Sequence, residues 1–362
     1  MTGRDPNAGS GPRIVSWNVT ARCNLACAHC YIDADGEGSP GELDTAEGMA
    51  LIDQIAAVGR PILVLSGGEP LLRPDIFDLA RYAAGRGLRV AMGTNGILVT
   101  DAVAERLSDT GIRKVAVSID STDPGVHDAF RGVSGAWEKA VNGIRALRRA
   151  GVPVQIHTTI GEPDIGEIDR IIAFGKSHGV RDYQFFFPVP TGRGEDLAGL
   201  PPEVHEAVIG RILAHAREPG FSVRPTCAPQ FVRVAARMGL DLSQWGRGCI
   251  AGTAYCRITP VGDVTPCPYL PVPVGNIRRE AFSDIWHGSE IFAALRDPDR
   301  LGGKCGQCEY RRACGGCRAR AYGVRHRRGD ACGGPVRPGD PDGDILAEDP
   351  CCPYEPGEIT HD

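Results

Sequence analysis

The sequence predicts an α/β chain: an open, partial (β/α)6 barrel of the TIM type, followed by a smaller cysteine-rich domain. Two observations carry this. Short β-type runs alternate with amphipathic helical segments over the first two thirds, which implies parallel strands joined by βαβ units. Ten of the 14 cysteines then fall at or beyond position 249.

Residues 13–19 form an extended run ending at a cysteine loop, and Thr45 is placed to cap a helix reaching Val58. Residues 62–65 are four apolar residues in a row, too short for a helix, and a helix follows over 75–86. The cycle repeats with strands at 88–92, 114–119, 152–159 and 183–187 and helices at 101–108, 136–149, 165–177 and 203–216. Six such strands imply a barrel over 13–220, a linker over 221–244 and a second domain over 245–357.

The formal charge of -5 and the aromatic share of 6% leave no electrostatic footprint for a nucleic acid. Residues 1–12 are polar, with no apolar run to serve as a signal peptide, and no stretch approaches about 18 consecutive apolar residues. The chain is therefore expected in the cytoplasm, with no membrane span. Its 48 glycines and 28 prolines lie between the periodic segments, as loops and turns rather than a low-complexity tract.

Cys23, Cys27 and Cys30 form the most informative motif, Cys23-Asn24-Leu25-Ala26-Cys27-Ala28-His29-Cys30. A four-iron cluster ordinarily takes four thiolates, so a compact set of three leaves one iron open to an outside ligand. A structural zinc would want a fourth closed ligand, yet the nearest other cysteine is Cys227. Disulfides would need an oxidising compartment.

In βα barrels chemistry gathers at the C-terminal ends of the strands. There the second strand ends in Ser66-Gly67-Gly68-Glu69-Pro70, the third in Gly93-Thr94-Asn95-Gly96 and the fourth in Ser118-Ile119-Asp120. Paired glycines let backbone approach a ligand, and a neighbouring carboxylate can accept from an ammonium group. Taken singly, these are also ordinary turn and cap residues. His127 and Arg131 could reach the barrel mouth, though a solvated loop is the reading preferred for them.

In the last third, Cys249, Cys256 and Cys267 precede Cys305-x2-Cys308-x5-Cys314-x2-Cys317, then Cys332, Cys351 and Cys352. Residues 255–266 alternate around Val261-Gly262-Asp263 as a hairpin with cysteines near its ends. A zinc ribbon could use two C-x2-C pairs, but the total exceeds one zinc site.

The spacing C-x3-C-x2-C resembles the signature of the radical S-adenosylmethionine (SAM) superfamily, and Gly67-Gly68-Glu69-Pro70 resembles its SAM-binding motif. That resemblance implies a SAM-chelating 4Fe-4S cluster on Cys23, Cys27 and Cys30 and reductive cleavage of SAM to a 5'-deoxyadenosyl radical. It also implies SAM contacts at Gly67, Gly68, Glu69, Asn95, Ser118 and Asp120, with Glu69 on the ammonium and His29 packed near the adenine. No side-chain acid or base is assigned. The C-terminal cysteines resemble a SPASM domain, with one departure: Cys314 and Cys317 have two residues between them, where the family has three. It implies two auxiliary 4Fe-4S clusters, one on Cys249, Cys256, Cys267 and Cys317 and one on Cys305, Cys308, Cys314 and a late cysteine. The run Gly343-Asp344-Ile345-Leu346-Ala347-Glu348-Asp349-Pro350-Cys351-Cys352 resembles the family's closing motif and selects Cys352, with Cys351 and Cys332 as alternatives.

Words such as Pro190-Thr191-Gly192-Arg193-Gly194, Pro225-Thr226-Cys227-Ala228-Pro229 and Cys314-Gly315-Gly316-Cys317-Arg318 resemble the heme-biosynthesis branch. That branch implies a tetrapyrrole substrate losing carboxyl or propionate groups, and an electron donor such as flavodoxin or ferredoxin. The competing substrate is a ribosomal peptide, or a partner enzyme to be matured. Peptide-modifying relatives often carry a leader-binding domain, and only about a dozen residues precede the first strand here. A non-catalytic iron-sulfur electron carrier would leave Gly68 and Glu69 without a purpose.

Overall fold

The computed structural model describes residues 11–161, 165–197, 199–323, 336–339 and 343–357. Strands and helices alternate as β1 (Ile14–Asn18), α1 (Thr45–Val58), β2 (Ile62–Ser66), α2 (Ile76–Gly85), β3 (Arg89–Thr94), α3 (Asp101–Asp109) and β4 (Lys114–Ser118). Then come α4 (Pro124–Arg131), α5 (Ala136–Arg149), β5 (Val154–Thr159), α6 (Ile165–Ser177), β6 (Asp182–Phe186) and α7 (Pro202–Ala214). The cap of α1 is Asp44, one residue before the expected Thr45, because Glu47 reaches back to complete a capping box.

Strands β1 to β6 pair in parallel, in chain order. Every second residue, such as Val15, Trp17, Leu63, Leu65, Val90, Met92, Val115 and Val117, is buried in one core beneath the helices. The intervening residues face the inside of the barrel and are largely polar: Ser16, Asn18, Ser66, Ser118, His157 and Gln184.

Two departures change the architecture. The stretch 221–244, expected as a linker, holds β7 (Ser222–Thr226), paired in parallel with β6, and α8 (Phe231–Arg237). The barrel wall thus gains a seventh strand. The expected hairpin forms from β8 (Tyr255–Ile258) and β9 (Asp263–Thr265), followed by β10 (Gly275–Asn276), but β8 also pairs in parallel with the free edge of β1. One ten-stranded sheet therefore runs β10-β9-β8-β1-β2-β3-β4-β5-β6-β7 and remains open. The C-terminal domain adds α9 (Phe282–Gly288), α10 (Glu290–Arg296), α11 (Gly303–Gln307) and α12 (Arg318–Tyr322). Among the described residues no helix is long and apolar enough to cross a membrane.

Candidate active site

The loop after β1 brings its three cysteines together. Cys23 has both Cys27 and Cys30 among its charge neighbours, and all three pack around Leu25, Ala136 and Ile97. None is in a disulfide. Burial pushes the Cys23 thiol up to about 11 and raises Cys27 as well, so free protein holds thiols that a metal cluster must deprotonate. Donors already point at the sulfurs: Ala34 N–H lies 3.4 Å from Cys30 Sγ, and Arg131 Nη1 3.8 Å from Cys27 Sγ. Three convergent thiols with N–H donors suit a cluster with one open iron.

Arg193 fixes this loop from across the barrel. Its Nε donates to Cys27 O at 3.0 Å, its Nη1 to Ala34 O at 2.8 Å and its backbone N–H to Cys30 O at 3.0 Å. Gly192 sits at φ 56°, where a Cβ would come within 2.4 Å of Cys30 O. Only glycine lets the turn approach so closely. His29 stacks on Phe130 with centroids 4.2 Å apart, and burial lowers its pKa to about 4.

The residues expected to contact SAM are at the rim, but several are already engaged. Gly68 N–H bonds Thr20 O at 2.8 Å and Glu69 N–H bonds Arg22 O at 2.7 Å. A Cβ on Gly67 would meet Thr20 O at 2.3 Å, and one on Gly68 would meet Arg22 O at 2.1 Å. The glycine pair thus lets the cysteine loop pass close against the end of β2. The Glu69 carboxylate is 0% exposed and accepts from Leu71 N (3.1 Å), Thr94 Oγ1 (2.8 Å) and Asn95 N (2.8 Å). Burial raises its pKa to about 7 against these hydrogen bonds. Its oxygens tie the ends of β2 and β3 together.

Asn95 reaches the cysteine loop through Nδ2 to Asn24 Oδ1, 2.8 Å away. Asp120 accepts from Arg131 Nε at 2.5 Å and from Thr159 N at 2.9 Å. It thus holds the arginine that faces Cys27. Ser118, half-buried at the end of β4, lies beside His157. His127 and Arg131 are not in a solvated loop. They lie one turn apart on α4, only 1% and 8% exposed, and His127 Nδ1 accepts from Asp120 N.

The auxiliary cysteines form two sets. Cys305, Cys308, Cys314 and Cys352 line one small cavity. Cys352 is the late cysteine selected above; Cys351 is buried beside it, and Cys332 lies outside the described residues. The other set differs from expectation. Cys227, Cys267 and Cys317 pack around Leu270 and Tyr322, and the charge neighbours of Cys227 are Cys317, Cys267 and Cys249. Cys256 is elsewhere, 0% exposed within the main core, with Arg296 as its charge neighbour. The reason is strand alternation: Cys256 and Ile258 turn toward the helices, while Tyr255 and Arg257 turn inward. Cys227 was missed because it precedes the spaced cysteine pattern of the C-terminal domain and falls in the stretch expected as a linker. Its place just past β7, at the rim of the wall, was the available signal. Asp349 joins the two sets, accepting from Cys317 N at 2.7 Å and Arg320 Nε at 3.2 Å while its own N–H points at Cys305 Sγ. Among the described residues, no three metal-binding side chains converge on a single-ion site.

The chain matches the family model "Radical SAM superfamily" over residues 17–175 and the SPASM model "Iron-sulfur cluster-binding domain" over 249–317. An AdoMet-dependent heme synthase of Methanosarcina barkeri is 41% identical over 96% of this chain and 98% of its own. This chain belongs to the radical SAM family of enzymes. The radical SAM enzyme is also 32% identical to a pre-heme d1 synthase of Dinoroseobacter shibae, over 95% of this chain and 87% of that one. Among solved structures, SuiB of Streptococcus suis bound to S-adenosylmethionine aligns with a TM-score of 0.71 at 16% identity, covering 95% of this chain and 78% of that one. That likeness supports the fold, with a partial barrel and a C-terminal cluster domain. The radical SAM enzyme thus has SAM and 4Fe-4S clusters as its cofactors.

Proposed function

We propose that this enzyme converts propionate side chains of an iron tetrapyrrole to vinyl groups by radical decarboxylation. The observation that carries this reading is the heme-synthase likeness along nearly the entire chain, spanning the barrel and both auxiliary cysteine sets. When bound, the SAM-chelating cluster held by Cys23, Cys27 and Cys30 supplies the electron that cleaves SAM to the hydrogen-abstracting radical.

The chain's own residues do the rest of the work of positioning. Arg193, Gly67, Gly68 and the Glu69–Thr94–Asn95 set hold the cysteine loop against the rim, and Asp120 holds Arg131 against Cys27. Ser118 and the neighbouring rim backbone contact SAM. Two auxiliary 4Fe-4S clusters complete a count of three, one on Cys305, Cys308, Cys314 and Cys352 and the other on Cys227, Cys249, Cys267 and Cys317. Loss of carbon dioxide from a propionate also removes one hydrogen atom and one electron, and these cysteine sets give the chain a place to hold an acceptor. The reducing electron comes from a flavodoxin or ferredoxin in the cytoplasm.

The test is anaerobic turnover of the reconstituted enzyme with SAM, a strong reductant and iron coproporphyrin III. Vinyl-bearing porphyrin formed together with 5'-deoxyadenosine is expected. SAM cleavage that returns the porphyrin unchanged would move the substrate to another class, a ribosomal peptide first.

A further inference from the structure

Six arginines are buried among the described residues, and five of them have their charge or donors accounted for by the protein. Arg73, Arg131, Arg233 and Arg320 pair with Asp75, Asp120, Glu206 and Asp349. Arg318 is bound by the carbonyls of Gly316, Ile345 and Ala347 and by Cys305 Sγ. Arg257 is the exception. At 8% exposure it donates Nη1 to Pro268 O at 2.9 Å, its Nε has no partner, and no carboxylate pairs with it among the described residues. A buried charge without a counter-charge is costly, and guanidinium is shaped to bind a carboxylate through two N–H groups.

Its position lies beside both cysteine sets. Arg257 pairs in register with Ser16, so both face the inside of the barrel, where Asn18 Nδ2 bonds the Tyr31 hydroxyl at 2.8 Å. The guanidinium lies over the Tyr31 ring, 5.6 Å from its centroid. Tyr31 directly follows Cys30, and Pro268 directly follows Cys267. Arg257 therefore sits at the seam between the SAM-side cysteine loop and the Cys227–Cys267 set. Tyr269, 5.4 Å from Tyr31 between ring centroids, continues the same wall.

We propose that Arg257 binds a carboxylate of the substrate at this seam, orienting one propionate of the tetrapyrrole between the two cysteine sets. This rests on the tetrapyrrole reading. SAM also carries a carboxylate, so the shared chemistry is an organic carboxylate and the experiment must separate its two sources.

The reconstituted full-length enzyme is titrated by absorbance with iron coproporphyrin III and, separately, with its tetramethyl ester, in wild type, Arg257→Gln and Arg257→Lys. For the free acid, Arg257→Gln should bind at least about tenfold more weakly, the loss expected for one charge-assisted contact. The ester should bind all three proteins alike, and Arg257→Lys should recover part of the acid's affinity. Iron content and the cluster EPR signal report whether each variant is folded; if Arg257→Gln is not, Arg257→Lys against the acid and ester still decides. SAM affinity, read from the change SAM causes in the reduced cluster's EPR signal, should not move. An equal affinity for the acid in wild type and the variants overturns the proposal and leaves the tetrapyrrole reading standing. A loss confined to SAM overturns it in favour of the SAM carboxylate. Failure of the wild type to bind either porphyrin overturns the tetrapyrrole reading, and this proposal with it.

Discussion

Replacing Cys227 and Cys256 by serine tests the proposal that the first holds a cluster while the second is a core residue. Cys227 lies among Cys249, Cys267 and Cys317, whereas Cys256 is wholly buried in the main core on the helix side of β8, with Arg296 as its charge neighbour. Cys227→Ser should therefore lower iron by about four per chain from a total of about twelve, because a four-iron cluster with one weakened ligand is lost on desalting. Cys256→Ser puts a smaller, more polar group into a packed core site whose charge neighbour is Arg296, and a poorly satisfied buried hydroxyl costs about 1–3 kcal/mol. Iron should stay at the wild-type count while the urea midpoint falls. Iron analysis, EPR at two temperatures and urea unfolding of the anaerobic holoenzyme measure all of this. Loss of iron from Cys256→Ser with full retention in Cys227→Ser would refute the assignment of the set.

Glu69→Gln loses about 1–3 kcal/mol through a misplaced amide donor against Thr94 and Asn95, and chemical unfolding checks it. Its pH dependence has a definite sign. The folded carboxyl titrates near 7, above its usual 4.5, so the stability it lends is complete below about pH 4.5 and fades as pH rises through 7. The gap between wild type and Glu69→Gln should narrow over that window; a gap that widens would show the carboxylate to be favoured in the fold. Arg193→Ala removes hydrogen bonds to Cys27 O and Ala34 O and should speed loss of the first cluster alone, followed as four irons released under air with the auxiliary EPR signals intact. Arg131→Gln strands the buried Asp120 carboxylate at a cost of about 3–5 kcal/mol, and an unchanged unfolding midpoint would dismiss that ion pair. Cys352→Ala should lower iron by about four, with the Cys227 set unaffected.

The cysteine loop, the rim motifs and β1 to β6 were legible because each is local: period-two burial, short apolar runs and turn residues carry them within a few positions. Helix α4 was not, since its Asp123 cap and Pro124 start read as a loop until His127 and Arg131 are seen on one buried face. The packing of Gly67 and Gly68 against Thr20 and Arg22 was not legible, because nothing in a glycine pair says which backbone comes close. The fourth cysteine of the Cys267 set escaped for a different reason. Which face of β8 looks inward depends on its register with β1, and that pairing joins residues more than two hundred positions apart.

The pairing of β8 with β1 also governs how the chain can come into being. Until residue 258 has left the ribosome, β1 presents an open row of backbone donors and acceptors along its outer edge. Closing that edge requires a loop nearly as long as the barrel, a slow kind of contact to form. A chain cut at the apparent boundary near 245 would keep every strand of the barrel wall from β1 to β7 and still leave the edge exposed, so it should aggregate where the longer chain does not.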